Sequence, residues 1–187
     1  MNRIHNRLCR SDSWFDKIEH EVLPWALRGI ELGDDVLEIG PGFGATTKVL
    51  APMVPRLTAL EIDPALAGGL RHAYGDTVDV IHGDGTAIPL PDSRFSAVVC
   101  FTMLHHVPSP ALQDRIFAEA CRVLRPRGVF AGSDSVPTLR WRIIHIGDTR
   151  VVVDPATLPD RLAAAGFTDI HVDVAPRKAV KFRARKP

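Results

Sequence analysis

Val36-Leu37-Glu38-Ile39-Gly40-Pro41-Gly42-Phe43-Gly44 is the stretch on which the reading of this chain turns. A short apolar run, Asp35–Ile39, ends in a loop with glycine at every second position, and Ala45–Leu50 then reads as the start of a helix. Glycine has no Cβ, so at Gly40, Gly42 and Gly44 the backbone can approach a ligand closely. The N-terminus of the following helix favours a carboxylate. In doubly wound sheets this first strand-to-helix turn lies at the carboxyl edge of the strands, where ligands bind. The loop alone does not select a ligand. Nicotinamide and flavin enzymes use similar turns, and a tight structural turn reads alike.

Working outward, further apolar runs occur at Leu57–Ile62, Val78–Ile81, Phe95–Phe101 and Val129–Ala131. They lack polar–apolar alternation, which predicts central strands covered on both faces. Between them, residues 109–124 form the clearest helix. Ser109 can cap it, Pro110 suits its first position, and Leu112, Ile116, Ala120, Val123 and Leu124 recur at helical spacing until Pro126 stops the run. A second helix starts at Asp63–Pro64, although Gly68 and Gly69 inside it cost roughly 1 kcal/mol each relative to Ala. After residue 155, Leu158–Ala165 reads as a helix, and Thr168–Val174 with Ala179–Ala184 as an antiparallel hairpin. The expected fold is α/β: a Rossmann-like, doubly wound, mostly parallel sheet of seven strands with helices on both faces. Five central strands run parallel, and the C-terminal hairpin sits antiparallel at one edge.

The bulk properties fit one domain over residues 1–187: the chain is 45% hydrophobic and 24% charged, enough for a sizeable core. A formal net charge of +1 gives no global reason to bind nucleic acid or an anionic membrane. Cys9, Cys100 and Cys121 show no CxxC spacing and read as reduced thiols rather than a disulfide frame. No apolar run approaches the ~20 residues of a membrane helix. Charges at Arg3, Arg7, Arg10, Asp12, Asp16, Lys17 and Glu19 leave no readable signal peptide, so a cytoplasmic protein is expected.

The acidic companions of the loop narrow its ligand. Glu61 ends the second strand about 20 residues past the loop, the place for a carboxylate that hydrogen-bonds ribose hydroxyls. Asp84 follows the third strand in Val80-Ile81-His82-Gly83-Asp84-Gly85, where it can accept from an adenine amino group, and Phe101 ends the fourth. Asp and Glu are common just beyond strands, but signals on successive strand ends in this order reinforce one another.

With these residues in place, VLEIGPGFGATT resembles motif I of the class I S-adenosylmethionine (SAM) dependent methyltransferases. ALEIDP, HGDGTAIPLPDSRFSAVV and FTMLHHVPSP resemble the motifs that follow, and RVLRPRGVF the helix-to-fifth-strand turn. The match covers about residues 30–135. It implies SAM as cofactor, with Gly40, Gly42 and Gly44 around its methionine part, Glu61 on the ribose, and Asp84 with Gly85 framing the adenine. Glu38, Pro41, Ile62 and Phe101 complete the expected cofactor-binding set. Arg127 departs from the family, which usually shows a second glycine before Gly128. The loop also reads GPGFG rather than the GxGxxG of dehydrogenases.

SAM brings an activated sulfonium, so the protein mainly aligns acceptor and methyl group, a contribution worth ~7–11 kcal/mol. A base is needed only where the acceptor must lose a proton. His105 and His106, just past the fourth strand, are the candidates, since histidine titrates near neutral pH. The plainer reading is that a histidine here shapes the loop through backbone hydrogen bonds. A metal site is disfavoured because adjacent histidines project in different directions and no third ligand stands at a recognisable spacing.

The same opening motifs are similar to those of rRNA adenine dimethyltransferases. Those enzymes carry an Asn-Leu-Pro-Tyr type sequence after the fourth strand, where this chain reads Phe101-Thr102-Met103-Leu104-His105-His106. Lys181, Arg183 and Arg185 alternate with Val180, Phe182 and Ala184, the pattern of a strand with one solvated face. The expected partner is therefore a small-molecule acceptor, with oxygen favoured over carbon or nitrogen. An rRNA methyltransferase and a non-catalytic SAM-binding protein are the alternatives. Two segments are candidate covers for the acceptor: an N-terminal helical cap over residues 1–30, bearing Trp14, Phe15 and Trp25, and a lid insert over residues 133–154, bearing Arg140, Trp141, Arg142, His145 and Asp148.

Overall fold

Seven strands form one sheet in the order β3-β2-β1-β4-β5-β7-β6. In this computed structural model, residues 2–136, 138, 147–175 and 179–187 are described. The strands are β1 (Asp35–Ile39), β2 (Arg56–Glu61), β3 (Val78–His82), β4 (Phe95–Phe101), β5 (Leu124–Ser135), β6 (Thr168–Ala175) and β7 (Ala179–Arg185). β1 to β5 pair in parallel, and β7 lies between β5 and β6, antiparallel to both. The doubly wound sheet with its C-terminal hairpin at one edge is thus the observed architecture.

The continuous apolar runs follow from burial on both faces. Alternate strand residues feed two cores, as the period of two dictates. Leu37, Ile39, Val98 and Phe130 face one layer with Ile116, Phe117 and Leu162. Val36, Ala97 and Val99 face the other with Leu50, Ala67, Leu70 and Leu23. Burial of each large side chain contributes roughly 1.5–3 kcal/mol. Phe130 is central to the first core, with its ring centroid 5.0 Å from that of Phe182 and 5.9 Å from that of Phe117.

The helices are α1 (Arg3–Cys9), α2 (Asp12–Lys17), α3 (Leu23–Ala26), α4 (Ala45–Leu50), α5 (Pro64–Tyr74), α6 (Pro110–Val123) and α7 (Leu158–Ala164), with a π turn over Ile18–Val22 and 3-10 turns over Ala51–Met53 and Leu104–His106. The expected caps are present. Asp63 Oδ1 accepts from Ala65 N at 2.8 Å and Leu66 N at 3.1 Å, and Ser109 Oγ accepts from Leu112 N at 3.2 Å. Among the described residues no helix is long and apolar enough to cross a membrane.

β5 differs most from the sequence-based expectation. It begins at Leu124, directly after α6, and continues past Ala131 to Ser135. Its pairing with β4 shifts register between Phe95 and Ala97, which accommodates Arg125-Pro126-Arg127-Gly128 as an irregularity that reads in sequence as a turn. At the other end, Ser133-Asp134-Ser135 is polar and reads as loop, yet it pairs with Ala179-Val180-Lys181 of β7. The segment expected as an insert over 133–154 therefore starts with strand residues. Arg140, Trp141, Arg142 and His145 lie outside the described residues. The N-terminal segment is helical, and Trp14, Phe15, Val22 and Trp25 pack, partly buried, on the second core.

Candidate functional site

The glycine loop closes the carboxyl end of β1. Gly40, Gly42 and Gly44 take left-handed φ angles of 68°, 59° and 84°, a region side chains with a Cβ rarely adopt. Gly44 N donates to Pro41 O at 3.0 Å, which makes the buried Pro41 the hinge of the turn. A Cβ on Gly42 would meet nothing within 4 Å, so this glycine borders open space. On Gly85 a Cβ would come 3.0 Å from Ile39 Cγ2, which shows how tightly the β3 loop lies against the end of β1.

Glu61 ties the three strand ends together. Its Oε2 accepts from Gly42 N at 2.9 Å and its Oε1 from Asp63 N at 3.0 Å, while its carbonyl accepts from Gly83 N at 3.0 Å. Each carboxylate oxygen keeps a second lone pair for a further donor. The neighbouring Ile62 is 62% exposed, an apolar surface beside a buried carboxylate. Asp84 is exposed, with Oδ1 accepting from Thr86 N at 2.8 Å.

Two of the expected cofactor residues turn inward. Glu38 is buried with Oε1 accepting from Thr46 Oγ1 and Oε2 from Thr47 Oγ1 at 2.7 Å, so its carboxyl braces the start of α4. Burial raises its pKa to about 7 against the pull of the two threonine hydroxyls. Phe101 is buried in the second core at the end of β4.

The fourth and fifth strands build the other half of the edge. Thr102 takes a left-handed φ of 53°, held by its N–H donating to Ser133 O at 2.8 Å, and this turns the chain sharply out of β4. The 3-10 turn that follows carries His105 and His106. His105 is 2% exposed, with Nδ1 at 2.5 Å from Asp134 Oδ1 and its backbone N donating to Asp134 Oδ2 at 3.0 Å. The half-buried His106 lies against it, ring centroids 4.1 Å apart and planes at 44°. Sequence reasoning missed Asp134. Its signal is a carboxylate at the end of a strand, as for Glu61, hidden because the end of β5 reads as loop.

The structure thus gathers Gly40, Pro41, Gly42, Gly44, Glu61, Ile62, Asp84 and Gly85 on the ends of β1 to β3, and His105 with His106 on the turn after β4. A ligand entering there meets open space over Gly42, an exposed apolar side chain at Ile62, and carboxylates at Glu61 and Asp84. These hydrogen-bond acceptors and the exposed apolar side chain are compatible in kind with the hydroxyls and the base of an adenosyl group.

Comparison with known proteins bears on the class directly. Residues 37–132 match the family model described as a methyltransferase domain. The chain belongs to this family, the class I SAM-dependent methyltransferases. It is 36% identical over 123 residues to a probable S-adenosylmethionine-dependent methyltransferase of Mycolicibacterium smegmatis, an alignment covering 66% of this chain and 46% of that protein. It is 45% identical over 62 residues to the ribosomal RNA small subunit methyltransferase A of Chlorobaculum parvum, covering 33% of this chain and 22% of that one. The chain thus spans less than half the length of these curated relatives. A solved SAM-dependent methyltransferase from Aquifex aeolicus superposes with a TM-score of 0.70 at 18% identity, over 94% of this chain and 98% of that one, and shows the same fold.

Proposed function

We propose that this chain transfers a methyl group from SAM to a small-molecule acceptor, with oxygen as the accepting atom. The observation that carries this reading is the buried Asp134–His105 pair with His106 packed on it. Asp134 fixes the His105 ring through Nδ1 and its backbone through N–H, so the imidazole cannot rotate freely. Held in this way, His105 buttresses the more exposed His106, and on this reading His106 takes the proton of an acceptor hydroxyl. A hydroxyl needs that proton removed as it becomes an ether, which is the use of a base near neutral pH.

Gly40, Gly42 and Gly44 would hold the methionyl part of SAM, Glu61 its ribose, and Ile62, Asp84 and Gly85 its adenine. When bound, SAM supplies an electrophilic methyl group on a sulfonium. Glu61, Asp84 and Asp134 form no ion pair with lysine or arginine among the described residues. Carboxylates at this edge without a lysine or arginine counter-ion suit a cationic donor. The partial likeness to an rRNA methyltransferase supports a second reading, an RNA acceptor. The turn after β4 argues against it, because Phe101-Thr102-Met103-Leu104-His105-His106 carries neither the asparagine nor the tyrosine that those enzymes use there.

The test couples calorimetric titration with S-adenosylhomocysteine to a turnover screen of phenols, hydroxylated lipids and ribosomal RNA. S-adenosylhomocysteine should bind, and a hydroxyl compound should be methylated. His106→Ala should then lower kcat by about 10²–10⁴-fold while S-adenosylhomocysteine affinity is retained. Asp134→Asn should distort the pH–rate profile without moving KM. Methylation of RNA alone would overturn the small-molecule reading. Full turnover by both His105→Ala and His106→Ala would remove the base.

A further inference from the structure

A cleft of about 520 Å³ opens beside the glycine loop, lined by Asn6, Arg7, Arg10 and Ser11. Arg7 and Arg10 stand about one helical turn apart and are exposed. Neither has a carboxylate partner among the described residues. Elsewhere arginines such as Arg94, Arg122 and Arg161 are engaged by Asp35, Asp92 and Asp114. Two guanidinium groups sharing one concavity repel each other until an anion enters.

The cleft adjoins the glycine loop. The Arg10 guanidinium lies over the Phe43 ring, 5.2 Å from its centroid, and Phe43 belongs to the glycine loop. Cys9, next to Arg10 in the chain, feels the charge of Asp148. Burial first, and that nearby carboxylate second, push the Cys9 thiol up to about 11. Asp148 lies three positions before Val151, whose N–H donates to the His105 carbonyl at 2.9 Å. The end of α1 therefore packs at the glycine loop.

We propose that this cleft is an anion-binding subsite at the mouth of the methyltransferase site, built for an acceptor that carries a carboxylate or phosphate group. The proposal rests on the methyl-transfer reading only in assigning the anion to the acceptor. Planar guanidinium groups match both anions through paired hydrogen bonds. The cation–π contact with Phe43 restrains Arg10 and reduces the entropy lost on binding. Ser11 shapes the cleft rather than reading the anion, because its hydroxyl donates to Leu8 O at 2.7 Å and accepts from Trp14 N at 3.3 Å. Recognition falls to Arg7 and Arg10.

The experiment titrates the whole chain at low salt with benzoate, phenyl phosphate and, as the neutral control, benzamide. S-adenosylhomocysteine is titrated separately. Benzoate or phenyl phosphate should bind saturably and benzamide should not, and the preferred anion tells carboxylate from phosphate. The double variant Arg7→Gln/Arg10→Gln should weaken anion binding about tenfold or more, the loss of at least one charge-assisted hydrogen bond. Its S-adenosylhomocysteine affinity should stay unchanged. Equal anion affinity in variant and wild type, or equal binding of benzamide, would overturn the subsite. Arginine-dependent anion binding in a chain that does not bind S-adenosylhomocysteine would uphold the subsite and overturn the methyl-transfer reading instead.

Discussion

The two ends of the sheet use charge in opposite ways. At the amino end, carboxylates meet guanidinium groups: Asp34 with Arg56 at 2.9 Å and Arg125 at 2.8 Å, and Asp35 with Arg56 at 3.4 Å and Arg94 at 3.6 Å. Arg125, by its hydrogen bond, holds the Asp34 carboxyl below its usual range. At the carboxyl end, Glu38, Glu61, Asp84 and Asp134 take their hydrogen bonds from threonine hydroxyls, backbone N–H groups and an imidazole. One end laces strands together across solvent, where each pair contributes about 0–1 kcal/mol. The other holds loops in shape without lysine or arginine counter-ions among the described residues. Variants at the two ends should therefore separate stability from ligand binding.

Glu38 is the residue that does not fit this division. Its carboxyl is raised from 4.5 to about 7 by burial. The folded chain thus holds a proton that the unfolded chain releases above pH 4.5, so the stability due to this group is full below pH 4.5 and is lost as pH rises to about 7. Glu38→Gln removes the ionisation and keeps an acceptor for the threonines. Relative to wild type it should gain on the order of 3 kcal/mol between acidic and neutral pH. Urea unfolding at pH 4.5 and 7.5 reads this directly. Parallel pH dependence in the two proteins would mean that the buried carboxyl ionises as an exposed one does.

Glu61 sharpens the division from the other side. Glu61→Ala leaves Gly42 N–H without its acceptor and removes the carboxylate expected on the ribose. S-adenosylhomocysteine affinity should fall about 10- to 100-fold, corresponding to ~1.5–3 kcal/mol for a hydrogen bond to a charged group. Unchanged affinity by calorimetry would move the ribose away from the end of β2.

The half of the site that was legible in the sequence is the half made by local chemistry. Alternate glycines, the capping Asp63 and Ser109, and carboxylates one or two positions past apolar runs all signal within a few residues, so β1 to β4 and the loop they carry could be placed. What stayed hidden is made by contacts between distant segments. Asp134 reaches His105 across 29 positions, and Ser133-Asp134-Ser135 becomes strand only because β7 pairs with it. The cation–π contact of Arg10 with Phe43 likewise depends on where α1 packs. The orientation of Glu38 is hidden in the same way, since only the threonines of α4 decide that its carboxyl points inward.

Arg127 carries the smallest effect and belongs to the structural end. It takes a left-handed φ of 67° within the irregularity at the start of β5. Its N–H donates to Lys186 O at 2.9 Å, and its carbonyl accepts from Arg185 Nη1 at 3.1 Å, so backbone contacts rather than its side chain fix the conformation. A Cβ in this region costs roughly 1–2 kcal/mol, which glycine would relieve. Glycine in turn gives up roughly 0.5–1 kcal/mol through the greater freedom of the unfolded chain. The two terms leave Arg127→Gly more stable by about 0.5 kcal/mol, a rise in Tm of about 1–2 °C for a chain of this size. S-adenosylhomocysteine affinity should not move, because the change lies at the end of the sheet opposite the glycine loop. A lower Tm would show that the arginine side chain makes a contact worth more than its backbone strain. A changed affinity would mean that the two ends of the sheet are coupled through β5.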